Sequence, residues 1–492
     1  MDKNIVEKGT ILNATKWSSI TEIMAKLVTP ISNIILARLL LPEIFGVVAS
    51  INMIVSFADV FADAGFQKYL IQHDFKSDQE YDEYICVAFW TNMVISFFAW
   101  IIIVIFSKNL AFLVGSQGKE KAIIISAVNL IFTSFSSIQM AIYKRNFEYK
   151  TLFIVKIFSI IVPFIVTIPL AIITRSYWAL ILGTLASNLI NAIIMTIKSR
   201  WKPKLYYSIV HLKNMFSFSF WSLCESILVW CIAWGDTFIV SFVLSDYYLG
   251  LYKTSMSTVN SIINLVVVST SSVLLSTLSR VKNNDVEYKK IYYKFQRYVS
   301  IVLIPMGVGI FIYRDFICKI LLGAEWMEAA SFIGIWGLIS SISIFFNSYS
   351  GIVCTSKEKP KLSVEAQIIQ LAFIFPVVYF SSRYSYSLLT YSRAYVRVVG
   401  FLVFMFILKR NFGISVFKVI QNLMPATICS LLMAISSVFM KGIFSNSFGN
   451  IISITLSALI YFILLFILFP NIRREIFDFA INNLVKKKRS FE

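Results

Sequence analysis

Apolar runs of 18 or more residues recur from one end of this chain to the other, separated by short stretches of charged and turn-forming residues. A membrane core is crossed by about 20 residues of helix, so the pattern predicts an all-α polytopic membrane protein. Its spans read as 14–38, 44–70, 84–107, 122–143, 152–173, 177–197, 214–244, 250–278, 291–313, 328–353, 362–382, 387–408, 420–440 and 449–470, fourteen in number. No soluble domain fits between them.

Polar residues inside the spans are not scattered. Glu22, Lys26, Thr29 and Asn33 in the first span, Asn52, Ser56, Asp59 and Asp63 in the second, and Lys253, Ser257, Asn260 and Asn264 in the eighth all follow i, i+4, i+7, i+11. That spacing lines one side of a helix. In the seventh span Glu225 and Asp236 share a face, with Trp221, Trp230 and Trp234 nearby. The third, thirteenth and fourteenth spans carry no charge in their apolar cores and are expected to face lipid. Charge within a bilayer is costly and turns toward a bundle interior or a watery cavity, so the stripes predict a polar central cleft. Each stripe also has a bland reading. Glu22 and Lys26 have the order that pairs on one helix. Asp59 and Asp63 repel at one-turn spacing and need a coupling ion, a proton, or a cation from another helix; Asp236 reads as structural.

The twelfth span poses the sharpest question, because "LLTYSRAYVRVVGFLVFMFIL" places Arg393 and Arg397 one helical turn apart in an apolar run. Counted from Ser387, Arg397 lies about 15 Å deep, too far in for its side chain to reach the interface. A charge at that depth costs about 2.5–3.5 kcal/mol on insertion scales. Two guanidinium forks could grip a diphosphate through paired donors. Otherwise they pair with Glu365, Asp59 or Glu225. Lys26, Lys156 and Lys253 are the remaining basic residues inside spans.

Composition agrees with the class, since 58% of the 492 residues are apolar and only 14% charged. The net charge of +19 would suggest nucleic acid for a soluble chain; here it reports orientation. Of 45 Lys and Arg, 31 fall in alternate loops and both tails, nine in the other loops and five within spans. The basic loops stay inside, which places both termini in the cytoplasm. The six cysteines show no metal-ligand spacing, and only Cys318 falls in an outer loop, so neither disulfide, metal nor cofactor is expected. His73 and His211 read as surface residues of inner loops.

An internal repeat is visible. "ILARLLLPEIFGVV" at 35–48 matches "IVSFVLSDYYLGLY" at 239–252, with Gly46 and Gly250 offset by 204 residues. "RSYWALILG" at 175–183 and "RYSYSLLTY" at 383–391 open the sixth and twelfth spans. Six spans are repeated in parallel and two follow. The organisation reads as a six-helix lobe at 1–200, a second at 201–410, two additional helices at 411–470 and a basic cytoplasmic tail at 471–492.

These stretches carry a resemblance. "ILARLLLPEIFG" with "FADAGFQKYLIQ", "GDTFIVSFVLSDYYLGLY" and "LLGAEWMEAASFIGIWGL" are similar to elements of the Wzx-type polysaccharide repeat-unit flippases, in the multidrug/oligosaccharidyl-lipid/polysaccharide exporter superfamily. The likeness spans nearly the full chain. Two departures concern helix ends: Thr277 stands where a proline is common, and "CTSKEKPK" lacks the usual glycine before its basic residue. The resemblance implies two pseudo-repeated six-helix lobes around the cleft. Its implied substrate is an undecaprenyl-diphosphate-linked oligosaccharide for O-antigen, capsule or exopolysaccharide, flipped across the bacterial cytoplasmic membrane. The implied partners are a proton or sodium ion, membrane lipids and polysaccharide polymerase machinery, with no nucleic acid. On this reading Arg393, Arg397, Lys26, Lys156, Lys253, Asn260 and Asn264 bind substrate, and Asp59, Asp63, Glu22 and Glu225 couple the ion. A drug or metabolite antiporter or a lipid II exporter of the same superfamily would share the cleft. A membrane glycosyltransferase or polymerase would need an acidic site in a large loop, and the chain has no Asp-x-Asp.

Overall fold

A computed structural model describes residues 3–63, 65–199, 201–443 and 446–475. Fourteen helices among the described residues are long and apolar enough to cross a membrane, one for each span read from the sequence. Polar side chains start several of them. Ser77 accepts from the Glu80 amide at 3.1 Å, Asn284 from Glu287 at 3.2 Å and Ser385 from Leu388 at 3.1 Å. Each satisfies a donor that the first helical turn leaves open.

Several boundaries differ from the apolar pattern. The second span was expected to run to 70, but its helix ends at Asp63, and Gly65 at φ 76° turns the chain into a short helix, Phe66–Gln72. A left-handed residue cannot continue the helix, and glycine takes that conformation without a Cβ clash. The fifth span contains a π-helical turn at Pro163–Thr167. The tenth is broken at Asn347 and the twelfth at Val396, where the Val399 amide bonds the Val396 carbonyl at 3.0 Å in a tightened turn. At Thr277 the eighth helix simply continues to Arg280. In "CTSKEKPK", Glu358 itself takes the left-handed conformation at φ 58°. Its carboxylate bonds Lys282, whose ammonium holds it below the usual carboxylate range.

Contacts divide the chain into two compact units. The first runs to Thr254 and takes in Leu321–Trp326 and Val378–Tyr384; the second holds Ser255–Ile320, Met327–Val377 and the chain from Ser385. The repeat boundaries near 200 and 410 were read from sequence similarity, a different criterion, and the eighth helix contributes to both units. In the first unit the first span packs on the fifth, the third on the fourth, and the second on the seventh. A core of Phe66, Tyr69, Tyr84, Phe89 and Trp201 gathers around the short helix Phe66–Gln72 and the start of the third span. His73 is exposed there, whereas His211 is half-buried, with Nε2 3.8 Å from Glu83 and its ring tilted against Tyr84 at 4.4 Å between centroids. In the second unit the ninth span packs on the tenth and thirteenth, and the tenth on the twelfth. The third, thirteenth and fourteenth spans expose Phe97, Phe98, Phe439, Ile463 and Ile467, the surface a lipid-facing helix presents. Their opposite faces bury hydroxyls. Ser437 donates to Ser457 at 2.7 Å, and Tyr313 reaches Ser453 and Ser457 at 3.0 and 3.1 Å.

Candidate functional site

In the second unit, three helices build a cationic cluster on one indole. Trp336 is fully buried in the tenth span, between Gly334 and Gly337. The Arg397 guanidinium carbon lies 3.9 Å from the centre of its ring and that of Arg393 5.1 Å. The aromatic face attracts both cations, worth about 0.5–2 kcal/mol for a contact of this kind. Arg397 Nη1 donates to Ser340 Oγ at 2.6 Å, and the Trp336 Nε1–H donates to Asn260 Oδ1 at 3.2 Å. So Asn260, Arg393 and Arg397, predicted separately, meet through a residue that was not. Arg393 is only 6% exposed and Thr390 beside it 2%. Of the carboxylates considered as arginine partners, Glu365 lies 3.9 Å from Lys361 on its own helix. Gly400, one turn after Arg397, leaves room for the Gln370 side chain of the eleventh span, whose amide a Cβ there would meet at 2.8 Å. Asn264 is exposed.

Trp336 is the functional candidate that sequence reasoning passed over. A signal existed: this tryptophan stands well inside its span rather than at an end, where interfacial anchors sit.

The first unit holds the remaining predicted residues. Thr133 Oγ1 donates to Asp59 Oδ1 at 2.8 Å. One turn earlier, Ser56 accepts from Trp230 Nε1 at 3.0 Å, joining the second and seventh spans. Asp63 closes the second helix, and its side chain lies outside the described residues. Lys253 sits 4.0 Å above the Trp234 ring and donates to Thr237 Oγ1 and the Ala233 carbonyl, each at 3.1 Å. Thr237 in turn donates to Asp236 at 3.2 Å, and Tyr252 reaches the same buried carboxylate at 2.9 Å. This agrees with the structural reading of Asp236.

Other members of the stripes are engaged locally. Lys26 lies 3.3 Å from Glu22 on the first span, the intrahelical pair that their spacing allowed. Glu225 bonds Lys68 of the short helix Phe66–Gln72 at 2.8 Å, both side chains well exposed. Lys156 is exposed on the fifth span. No group of His, Cys, Asp and Glu that could hold a metal occurs among the described residues. The second unit thus presents two arginine forks beside one indole, and the first unit holds two hydrogen-bonded carboxylates within spans, Asp59 and Asp236.

Comparison with known proteins places the chain in a family. The sequence pattern of the family described as "Polysaccharide biosynthesis protein" matches residues 35–331. A membrane protein of the cps region of Klebsiella pneumoniae is 23% identical over 75% of this chain and 76% of that protein. The succinoglycan biosynthesis transport protein ExoT of Rhizobium meliloti is 24% identical over 65% of this chain and 64% of its own length. Among solved structures, the lipid II flippase MurJ in an inward closed conformation superposes with a TM-score of 0.74. It covers 92% of this chain and 99% of its own at 17% identity, a likeness of fold. The resemblance drawn from the hairpin motifs is borne out.

Proposed function

Because the chain belongs to the polysaccharide biosynthesis protein family, we propose that it flips an undecaprenyl-diphosphate-linked oligosaccharide repeat unit across the bacterial inner membrane. The movement is by alternating access through a polar central cleft, driven by a proton or sodium gradient. Both termini lie in the cytoplasm, and the product is delivered to polymerase machinery on the outer side. The family and the transport protein among its relatives support the coarser statement, a multi-pass transporter serving polysaccharide biosynthesis rather than an enzyme.

The observation that carries the finer reading is the pair of arginines on Trp336. Glycan and diphosphate cannot cross hydrocarbon unaided, because their polar groups would lose water without replacement. A diphosphate needs planar, paired donors at mid-depth, and arginine supplies them where lysine gives a point charge. Stacking on an indole fixes the guanidinium plane, so less entropy is lost on gripping the anion. Lys26, Lys156, Lys253, Asn260 and Asn264 complete the polar surface for the glycan. Asp59, with Asp63, Glu22 and Glu225, carries the coupling ion.

Reconstitution decides the matter. Proteoliposomes loaded with a fluorescent undecaprenyl-diphosphate oligosaccharide should show protein-dependent, gradient-dependent exposure of the label to an outside quencher. Movement of lipid II or of a cationic dye, with no movement of the oligosaccharide, would replace this reading by the exporter or the antiporter.

A further inference from the structure

A cavity of about 1190 Å³ lies where the ninth, thirteenth and fourteenth spans end on the side assigned to the cytoplasm. It belongs wholly to the second unit and uses none of the residues of the arginine pair. On the ninth span Lys290 and Lys294 are one turn apart, as are Tyr293 and Arg297, so successive turns present cations to one wall. Lys418 adds another from the thirteenth span, and Lys289 one more from the ninth. Among the described residues the lining holds a single carboxylate, Glu475, and it is engaged already, 3.5 Å from Arg297 and 2.9 Å from the Tyr298 hydroxyl. Cations are therefore in excess. Tyr293 accepts from the Ser415 amide at 2.7 Å and fixes the start of the thirteenth span beside them.

The thirteenth and fourteenth spans add the apolar side chains of Met424, Ile428, Leu468 and Phe469 to the lining, with the polar Gln421, Asn422 and Asn471 beside them. Following the same three helices away from the cytoplasmic end, the next turns line a second cavity of about 360 Å³ whose walls include Val302, Pro305, Met433 and Phe462. Cationic at one end and apolar along the rest, this track matches an amphiphile with an anionic head. The chain's own basic run at Lys486–Arg489 has the wrong sign for it.

We propose that this track binds an anionic membrane phospholipid of the cytoplasmic leaflet, the phosphate held by Lys290, Lys294, Arg297 and Lys418 and an acyl chain lying along the apolar turns. Basic pockets between helices on this side are suited to anionic headgroups, and the attraction adds to burial of the chain. The site is independent of the proposed substrate pathway.

The test places the full-length protein in phosphatidylcholine nanodiscs and measures binding of a fluorescent phosphatidylglycerol. The variant Lys290→Glu, Lys294→Glu, Lys418→Glu should bind it at least about tenfold more weakly. A charge-matched control, Lys76→Glu, Lys204→Glu, Lys213→Glu, should stay within about twofold of the wild type. If the triple variant does not fold, Lys290→Gln and Lys418→Gln singly should each weaken binding. Equal losses in variant and control would reduce the effect to general surface charge and overturn the site. Complete displacement by inorganic pyrophosphate would make it a soluble-phosphate site, and preferential displacement by undecaprenyl diphosphate a substrate-capture site; either outcome overturns the phospholipid.

Discussion

Gly46 and Gly250 each lie against the backbone at the start of the other's helix. A Cβ built on Gly46 would fall 1.7 Å from the Asp246 carbonyl oxygen, and one on Gly250 1.8 Å from that of Pro42. Pro42 and Asp246 are separated by the same 204 residues as the two glycines. The contact is therefore reciprocal, and the repeat-related helices of the second and eighth spans cross at equivalent points.

Alanine at either glycine should lower the amount of folded protein sharply. Overpacking costs about 1–3 kcal/mol where side chains can shift, and here the obstacle is backbone. Gly309→Ala, with no neighbouring atom within 4 Å of its Cβ, is the control and should melt near the wild type. Thermal melting monitored by size-exclusion chromatography checks both; a Gly46→Ala protein as stable as the control would contradict the crossing.

Arg397→Lys should cut oligosaccharide flipping by about tenfold while the protein remains abundant, because charge persists and the planar fork is lost. Arg397→Ala should cut it further. Trp336→Phe keeps an aromatic face but loses the bond to Asn260, so it should cost about 1 kcal/mol of stability and less transport than either. Abundance and flipping measured on the same variants separate these effects. Full transport in Arg393→Ala, Arg397→Ala would end the diphosphate role.

Asp59→Asn should weaken the dependence of transport on the ion gradient, because the amide cannot bind a proton or a sodium ion as the carboxylate does. Thr133 can still hydrogen-bond the replacement, so folding should persist. Gradient dependence unchanged in proteoliposomes, at normal expression, would remove Asp59 from coupling.

Cys318 should resist maleimide in the folded protein. Burial pushes its thiol up to about 12, with Asp315 adding to the shift. The reactive thiolate is then scarce at pH 7–8 and grows only as pH approaches that value. Labelling by mass spectrometry should be slow at pH 8 and fast after denaturation. Rapid labelling of the native protein at pH 8 would refute the buried environment.

Orientation follows from the partition of basic residues. Reporter fusions after Lys204 and Lys361 should both read cytoplasmic. An outside signal at either would reverse the topology and move the phospholipid track to the other leaflet.

The sequence by itself determined the fourteen spans and the family, because span length and apolar content are local properties and the hairpin motifs are contiguous. It also singled out Arg393 and Arg397, since a charge in an apolar run is conspicuous one residue at a time. It did not determine which side chains those arginines meet. Trp336 and Ser340 lie some 60 residues earlier in sequence, on a span whose apolar core carries no charge to draw attention to it, and Asn260 lies on a third helix. Helix breaks at Asn347 and Val396 were equally hidden, for neither site carries proline or glycine. Even the glycine pair, whose offset the repeat exposed, revealed its purpose only on folding: helical period fixes which face a residue occupies, but packing between helices decides what that face touches.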